Sequence, residues 1–140
     1  MFQKILVAYD GSEGSRHALQ AGIELAKQLG ADLHTISVIE HLPHYAATVG
    51  EVKEAQEEFE TFFSKLTKQA RDLAALQGVE LETVVKPGHE VETIVTYAKE
   101  GGFDLLVIGF AGHSNIWGRV MGSTTQNLSR LAPCSVMIVK

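Results

Sequence analysis

From Gly109 to Thr124 the chain reads GFAGHSNIWGRVMGST, with glycines at 109, 112, 118 and 122. The stretch follows the apolar run Leu105-Leu106-Val107-Ile108, which predicts a fully buried strand. It runs out into Gly122-Ser123-Thr124, which predicts a helix start. Missing side chains let the main chain take positive φ and let a ligand approach the backbone closely. A helix start adds unpaired N–H groups and the positive end of a dipole, which suit an anion such as phosphate. Strand, glycine loop and helix start therefore make a phosphate cradle, although the same composition also suits a connection that merely turns. Asp10 is the second candidate. It ends the first strand, and in open α/β sheets ligands lie outside the carboxyl ends of the strands. An acid there either faces the site or serves as a turn and capping residue. His41 and His44 lie three apart, but no Cys or clear third ligand is near, so they read as loop histidines rather than a metal pair. Cys134 is the single cysteine and reads as a small buried residue, not a nucleophile.

The elements that must position these residues follow from periodicity. Lys4–Tyr9 is a short apolar run with both faces buried, as in a central parallel strand. Ser12 caps a helix with the stripe Ala18, Ala21/Gly22, Leu25/Ala26 and Leu29, which Gly30 stops. Asp32–Ile39 is the second strand, and residues 40–50, with Pro43, form a loop. Glu51–Gln77 is a long amphipathic helix with the stripe Val52, Ala55, Phe59, Phe62/Phe63, Leu66, Ala70 and Leu73/Ala74, its phenylalanines expected as core knobs. Its acids crowd the first half and its bases the second, as the helix dipole favours. Val79–Lys86 is the third strand, Glu90–Glu100 a helix, Phe103–Ile108 the fourth strand, Gly122–Leu131 a short helix, and Ser135–Val139 the fifth strand. Alternating strands and helices force a parallel sheet with right-handed crossovers and helices on both faces. Ligand is expected where the winding reverses beside the first strand. Setting the first and fourth strands side by side brings Asp10 and Gly109 to one crevice.

Whole-chain properties narrow the function. The 140 residues suit one domain, 1–140, with a proper core. A net charge of −5 with no basic cluster argues against nucleic acid as a partner. One cysteine allows no internal disulfide, which fits a reducing, cytoplasmic setting. The N-terminal apolar run is too short for a signal peptide, and no run approaches the ~20 residues that span a bilayer, so membrane insertion is not expected.

The spacing Gly109-x2-Gly112-x9-Gly122-Ser123 resembles that of the ATP-binding branch of the universal stress protein family. So do the opening Ile5–Ser12 (ILVAYDGS), the run Asp104–Gly109 (DLLVIG), Gly112-His113-Ser114 and the ending Ala132–Val139 (APCSVMIV), which together cover the chain as one such domain. The resemblance implies the strand order 3-2-1-4-5 of an adenine nucleotide alpha hydrolase-like fold, with ATP (or ADP or AMP) in the crevice together with Mg²⁺ or Mn²⁺. It also implies a homodimer joined through the last strand. By position it assigns Ala8, Asp10 and Ser12 to the nucleotide, Asp10 near ribose or metal. The backbone of Val38 reads adenine. Gly109 and Gly112 shape the loop around ribose and phosphates, with His113 and Ser114 as phosphate contacts. Gly122, Ser123 and Thr124 give amides and hydroxyls to the phosphates. Arg119 is either a phosphate partner or a solvated side chain.

Two departures from the family pattern stand out. Ile116, Trp117, Val120 and Met121 dominate a loop that elsewhere carries more bases; they either pack beneath it or form a docking patch for another protein. Tyr9 is bulky and is expected to fill space near the base. A nucleotide-responsive regulatory or stress-response protein is the leading expectation. No Walker lysine motif G-x4-G-K-[ST] occurs, and the loop after the first strand is not that of ATP pyrophosphatases, so slow ATP hydrolysis or nucleotidyl transfer is the alternative from the enzyme class. A nucleotide-free protein-binding module of the same fold is the third reading.

Overall fold

A run of alternating elements predicts crossovers, and the computed structural model, which describes residues 1–40, 49–110 and 121–140, contains them. The order is β1 (Lys4–Ala8), α1 (Glu13–Leu29), β2 (Asp32–Ile39), α2 (Val49–Leu76), β3 (Leu81–Pro87), α3 (Glu90–Glu100), β4 (Leu105–Gly109), α4 (Ser123–Leu131) and β5 (Ser135–Val139). The sheet runs β3-β2-β1-β4-β5, as expected, and all pairs are parallel. Val7 pairs with both Thr35 and Val107, so β1 lies at the centre.

Two apolar cores flank the sheet. Ile5 and Val7 of β1, and Tyr9 just beyond it, face α1 and α2, packing with Leu19, Ile23, Leu66 and Ala70. Leu6 faces the opposite way with Ile94, Ala98, Phe103 and Leu128 beneath α3 and α4. Alternate residues of one strand thus feed both cores, which explains why β1 is apolar throughout instead of alternating.

The helix ends match their residue types. Ser15 N–H donates to Ser12 Oγ at 3.2 Å, and Gly30 closes α1 in the left-handed region at φ 65°. Two stripe assignments need correction. On α1 the buried set is Ser15, Ala18, Leu19, Gly22, Ile23 and Ala26, while Leu29 is exposed; the helix is rotated toward Leu19 and Ile23 because they complete the β1–β4 contact. On α2 only Leu66, Ala70 and Ala74 are fully buried, whereas Phe62 is 55% exposed and Val52 38%. Phe62 is therefore not a core knob, whereas Phe63 is half-buried and packs against the core, as the stripe predicts, and Phe59 is half-buried. The 28-residue helix is ~42 Å long, against ~26 Å for the eight residues of β2, so its first half has no sheet to pack upon.

The expectations for His41, Pro43, His44, Gly112, His113, Ser114, Ile116, Trp117, Arg119 and Val120 lie outside the described residues. Among the described residues no helix is long and apolar enough to cross a membrane.

Candidate functional site

The strands end at different heights, and that opens the crevice. Tyr9 N–H donates to Ile36 C=O at 3.0 Å, the last main-chain bond between the end of β1 and β2. Beyond it β2 continues to Ile39 beside β3 alone. In a parallel ladder the amide and carbonyl of one residue point to the same neighbour, and the next residue points the other way. Ile39 C=O accepts from Gly88 N–H on the β3 side. The main chain of Val38, in phase with Ile36, therefore faces the side that β1 has left.

The cleft above these strand ends has a volume of about 560 Å³, within the range of small-molecule sites. Ala8, Asp10 and Ser12 line it from the end of β1, Ser37 and Val38 from β2, Gly109 from β4, and Gly122, Ser123 and Thr124 from α4. Eight of the residues singled out in the sequence thus meet in one place. Met121, named with the apolar loop residues, precedes the cleft-lining Gly122 and is half-buried.

Asp10 shapes the first turn. Its Oδ1 accepts the Ser12 amide at 2.9 Å, and its own amide donates to Ser15 Oγ at 3.3 Å. Ser15 Oγ in turn donates to Ser12 C=O at 3.0 Å. The turn role weighed for Asp10 is thus present, while capping falls to Ser12, and Asp10 still lines the cleft. Ser12 Oγ is engaged as the α1 cap. Gly11 turns the chain at φ 82°, in the left-handed region where glycine carries no steric penalty.

The two described glycines of the cradle are glycine for different reasons. A Cβ on Gly109 would lie 2.8 Å from the carbonyl carbon of Gly14 and 2.9 Å from its oxygen, so Gly109 lets the start of α1 press against β4. Thr125 Oγ1 donates to Gly109 C=O at 2.7 Å and ties α4 to the same point. Gly122 has ordinary extended backbone at φ −61° and ψ 151°, which any residue adopts. It occupies the N-cap of α4 with no side-chain hydrogen bond to the first turn. Ser or Asp at that position would satisfy a first-turn amide itself; glycine supplies no such cap, and Gly122, Ser123 and Thr124 line the cleft.

Sequence reasoning missed Ser15, Ser37, Glu90, Thr125 and the α2 rings, all of which line the cleft. Ser37 Oγ donates to Tyr9 C=O at 2.6 Å and holds the end of β1 against β2. Only Thr125, one residue past the GST run, carried a local signal. The others arrive through crossovers. Tyr9 lines the cleft without closing it. Its ring joins the α1–α2 core, and its hydroxyl is buried with no hydrogen-bond partner among the described residues. Burial pushes its pKa up, nearby Arg16 opposes the rise, and Asp10 adds to it. Cys134 lies away from the cleft, half-buried, its thiol pKa raised by burial and by the charge of Asp104.

No group of three or more His, Cys, Asp or Glu that could hold a metal ion occurs among the described residues. Mg²⁺ is commonly held by one or two carboxylates with further oxygen ligands, and Asp10 is the carboxylate at the end of β1 that lines the cleft.

Comparison with known proteins agrees with this geometry. The model of the universal stress protein family matches residues 1–140. Universal stress protein YxiE of Bacillus subtilis is 33% identical, with all of both chains covered. Universal stress protein UspA from Lactobacillus plantarum superposes with a TM-score of 0.88 at 25% identity, covering 99% of this chain and 98% of that one. A universal stress protein solved in complex with cAMP has a TM-score of 0.77 at 27% identity, covering 99% and 97%.

Proposed function

We propose, since the chain belongs to the universal stress protein family, that its single domain binds an adenine nucleotide, ATP foremost, in the cleft at the β1–β4 switch point. The observation that carries this reading is the α4 N-terminus, capped by a glycine that its backbone does not require and aimed into a cleft that Asp10 also lines. Phosphates meet the first-turn amides of α4 and the hydroxyls of Ser123 and Thr124. The adenine edge pairs with the main chain of Val38, which faces the gap beyond β1. Asp10 takes the ribose or a Mg²⁺ or Mn²⁺ ion held jointly with the phosphates; such an ion would neutralise phosphate charge. The cAMP complex of a relative supports an adenine nucleotide as the ligand class.

Bound nucleotide acts as a regulatory ligand that biases association in the cytoplasm. The outer edge of β5, the last strand of the sheet, supplies the surface for pairing with a second copy. An apolar edge such as Val136–Val139 is a liability unless covered.

Calorimetric titration of the purified protein with ATP, ADP, AMP and cAMP tests the reading, with Gly122→Asp as the variant. Aspartate caps α4 itself and places a negative charge where the phosphates go. The variant is expected to fold with slightly higher thermal stability, a few tenths of a kcal/mol, and to lose at least tenfold in ATP affinity. Unchanged ATP affinity in Gly122→Asp refutes the cradle. Multiple turnovers of ATP in a phosphate-release assay would move the protein into the enzyme class.

A further inference from the structure

The polar floor of the cleft accounts for one half of a nucleotide. Its wall points to the other half. Helix α2 runs antiparallel to the strands it connects, so its N-terminus lies at the carboxyl edge of the sheet. Leu66 marks the height of that edge, because a Cβ on Gly11, just past β1, would lie 2.6 Å from Leu66 Cδ1. Every residue of α2 before Leu66 is therefore carried past the end of β1. At 1.5 Å per residue, Phe62 stands ~6 Å and Phe59 ~10 Å above it.

The overhang carries aromatic rings. Phe59 and Phe63 lie nearly parallel, 6.1 Å apart at 11°, and Phe62 meets Phe63 edge-on at 5.1 Å and 89°. All three line the cleft, and Phe62 is 55% exposed. An exposed large ring on the cleft wall leaves apolar area that a flat ligand can cover with favourable stacking. The wall is continuous with a floor of Asp10, Ser12, Ser37 and the α4 amides. Rings above and the start of α4 below fit one ligand with a flat apolar head and a charged tail.

We propose that Phe59, Phe62 and Phe63 form a platform on which the base of the bound nucleotide stacks, a role that rests on the nucleotide reading above. Stacking on phenylalanine is tolerant, because every base presents a π-face. The platform therefore supplies affinity for the base, while the main chain of Val38 supplies the choice among bases. Phe62, the most exposed of the three, contributes through its ring and not through the core.

The experiment is an NMR titration with AMP and with ribose 5-phosphate, on the wild type, Phe62→Ala and Phe62→Tyr. Phe62→Ala removes an exposed ring and is expected to fold, as circular dichroism will show. It should weaken AMP at least about fivefold, leave ribose 5-phosphate within twofold, and be rescued by Phe62→Tyr. In the wild type, nuclear Overhauser contacts are expected between adenine protons and phenylalanine ring protons. Unchanged AMP affinity, equal losses for both ligands, or absence of those contacts overturns the platform and leaves the cradle standing. A wild type that binds neither ligand overturns both. A Phe62→Ala variant that loses only self-association in sedimentation assigns the rings to a second copy of the chain and overturns the platform.

Discussion

Replacing Tyr9 by phenylalanine should make the free protein more stable, against the usual direction for loss of a hydroxyl. Tyr9 is only 2% exposed, and its hydroxyl has no hydrogen-bond partner among the described residues. A buried hydroxyl without a partner carries its desolvation penalty uncompensated, ~1–3 kcal/mol. Phenylalanine keeps the ring, and with it the packing against α1 and α2, so that penalty is the main quantity that changes. A chain of 140 residues has an unfolding entropy of ~0.3 kcal/mol/K at ~2.1 cal/mol/K per residue, so each kcal/mol shifts the Tm by ~3 °C. The expected gain is ~3–10 °C by differential scanning calorimetry at pH 7.5. Burial holds the phenol pKa above its usual value of 10.0, so its ionisation does not enter at that pH. Urea unfolding should show a higher midpoint with an unchanged slope, since the exposed surface on unfolding is the same. A Tm that falls by 2 °C or more means the hydroxyl is bonded in solution and refutes the reasoning.

Gly109→Ala places a methyl within 3 Å of the Gly14 backbone, which cannot swing aside like a side chain. It should cost ~1–3 kcal/mol, as overpacking does, and weaken ATP because α1 and its Asp10–Ser12 turn are displaced; a wild-type Tm would show that the contact relaxes freely. His34 supplies a pH dependence. Its pKa is lowered from 6.5 mainly by burial, although Glu82, at 3.4 Å, opposes the shift. The unfolded chain thus binds the proton more readily, and stability from neutral His34 is present above pH 6.5 and lost as pH falls through the lower folded value. Denaturant midpoints should drop less between pH 7.5 and 5.5 in His34→Gln than in the wild type; equal drops would show that other groups dominate.

Much of this protein could be read from residue order. The Asp32–Ile39 strand and the Glu90–Glu100 helix have the bounds their patterns predict, and the β/α alternation leads to the observed sheet. Asp10, Gly109 and Gly122 were recognisable because strand ends, turns and helix starts are local events with local residue preferences. Local signals stop at the element boundary. The 3.6-residue stripe of α2 shows which side of the helix is apolar but not how far the sheet beneath it reaches, so Phe62 reads as core and stands in the open. Gly109 reads as a ligand-approach glycine, yet its missing Cβ is filled by the backbone of Gly14, 95 positions earlier. Ser37 and Tyr9 acquire their meaning only when β2 outruns β1 and leaves Val38 facing a gap. By itself the sequence determined the elements, their parallel winding and the edge at which the cleft opens, because periodicity and chirality act along the chain. Only the tertiary structure decided which side chains make the floor and wall of the cleft, because those distances depend on the relative lengths and heights of elements that never meet in sequence.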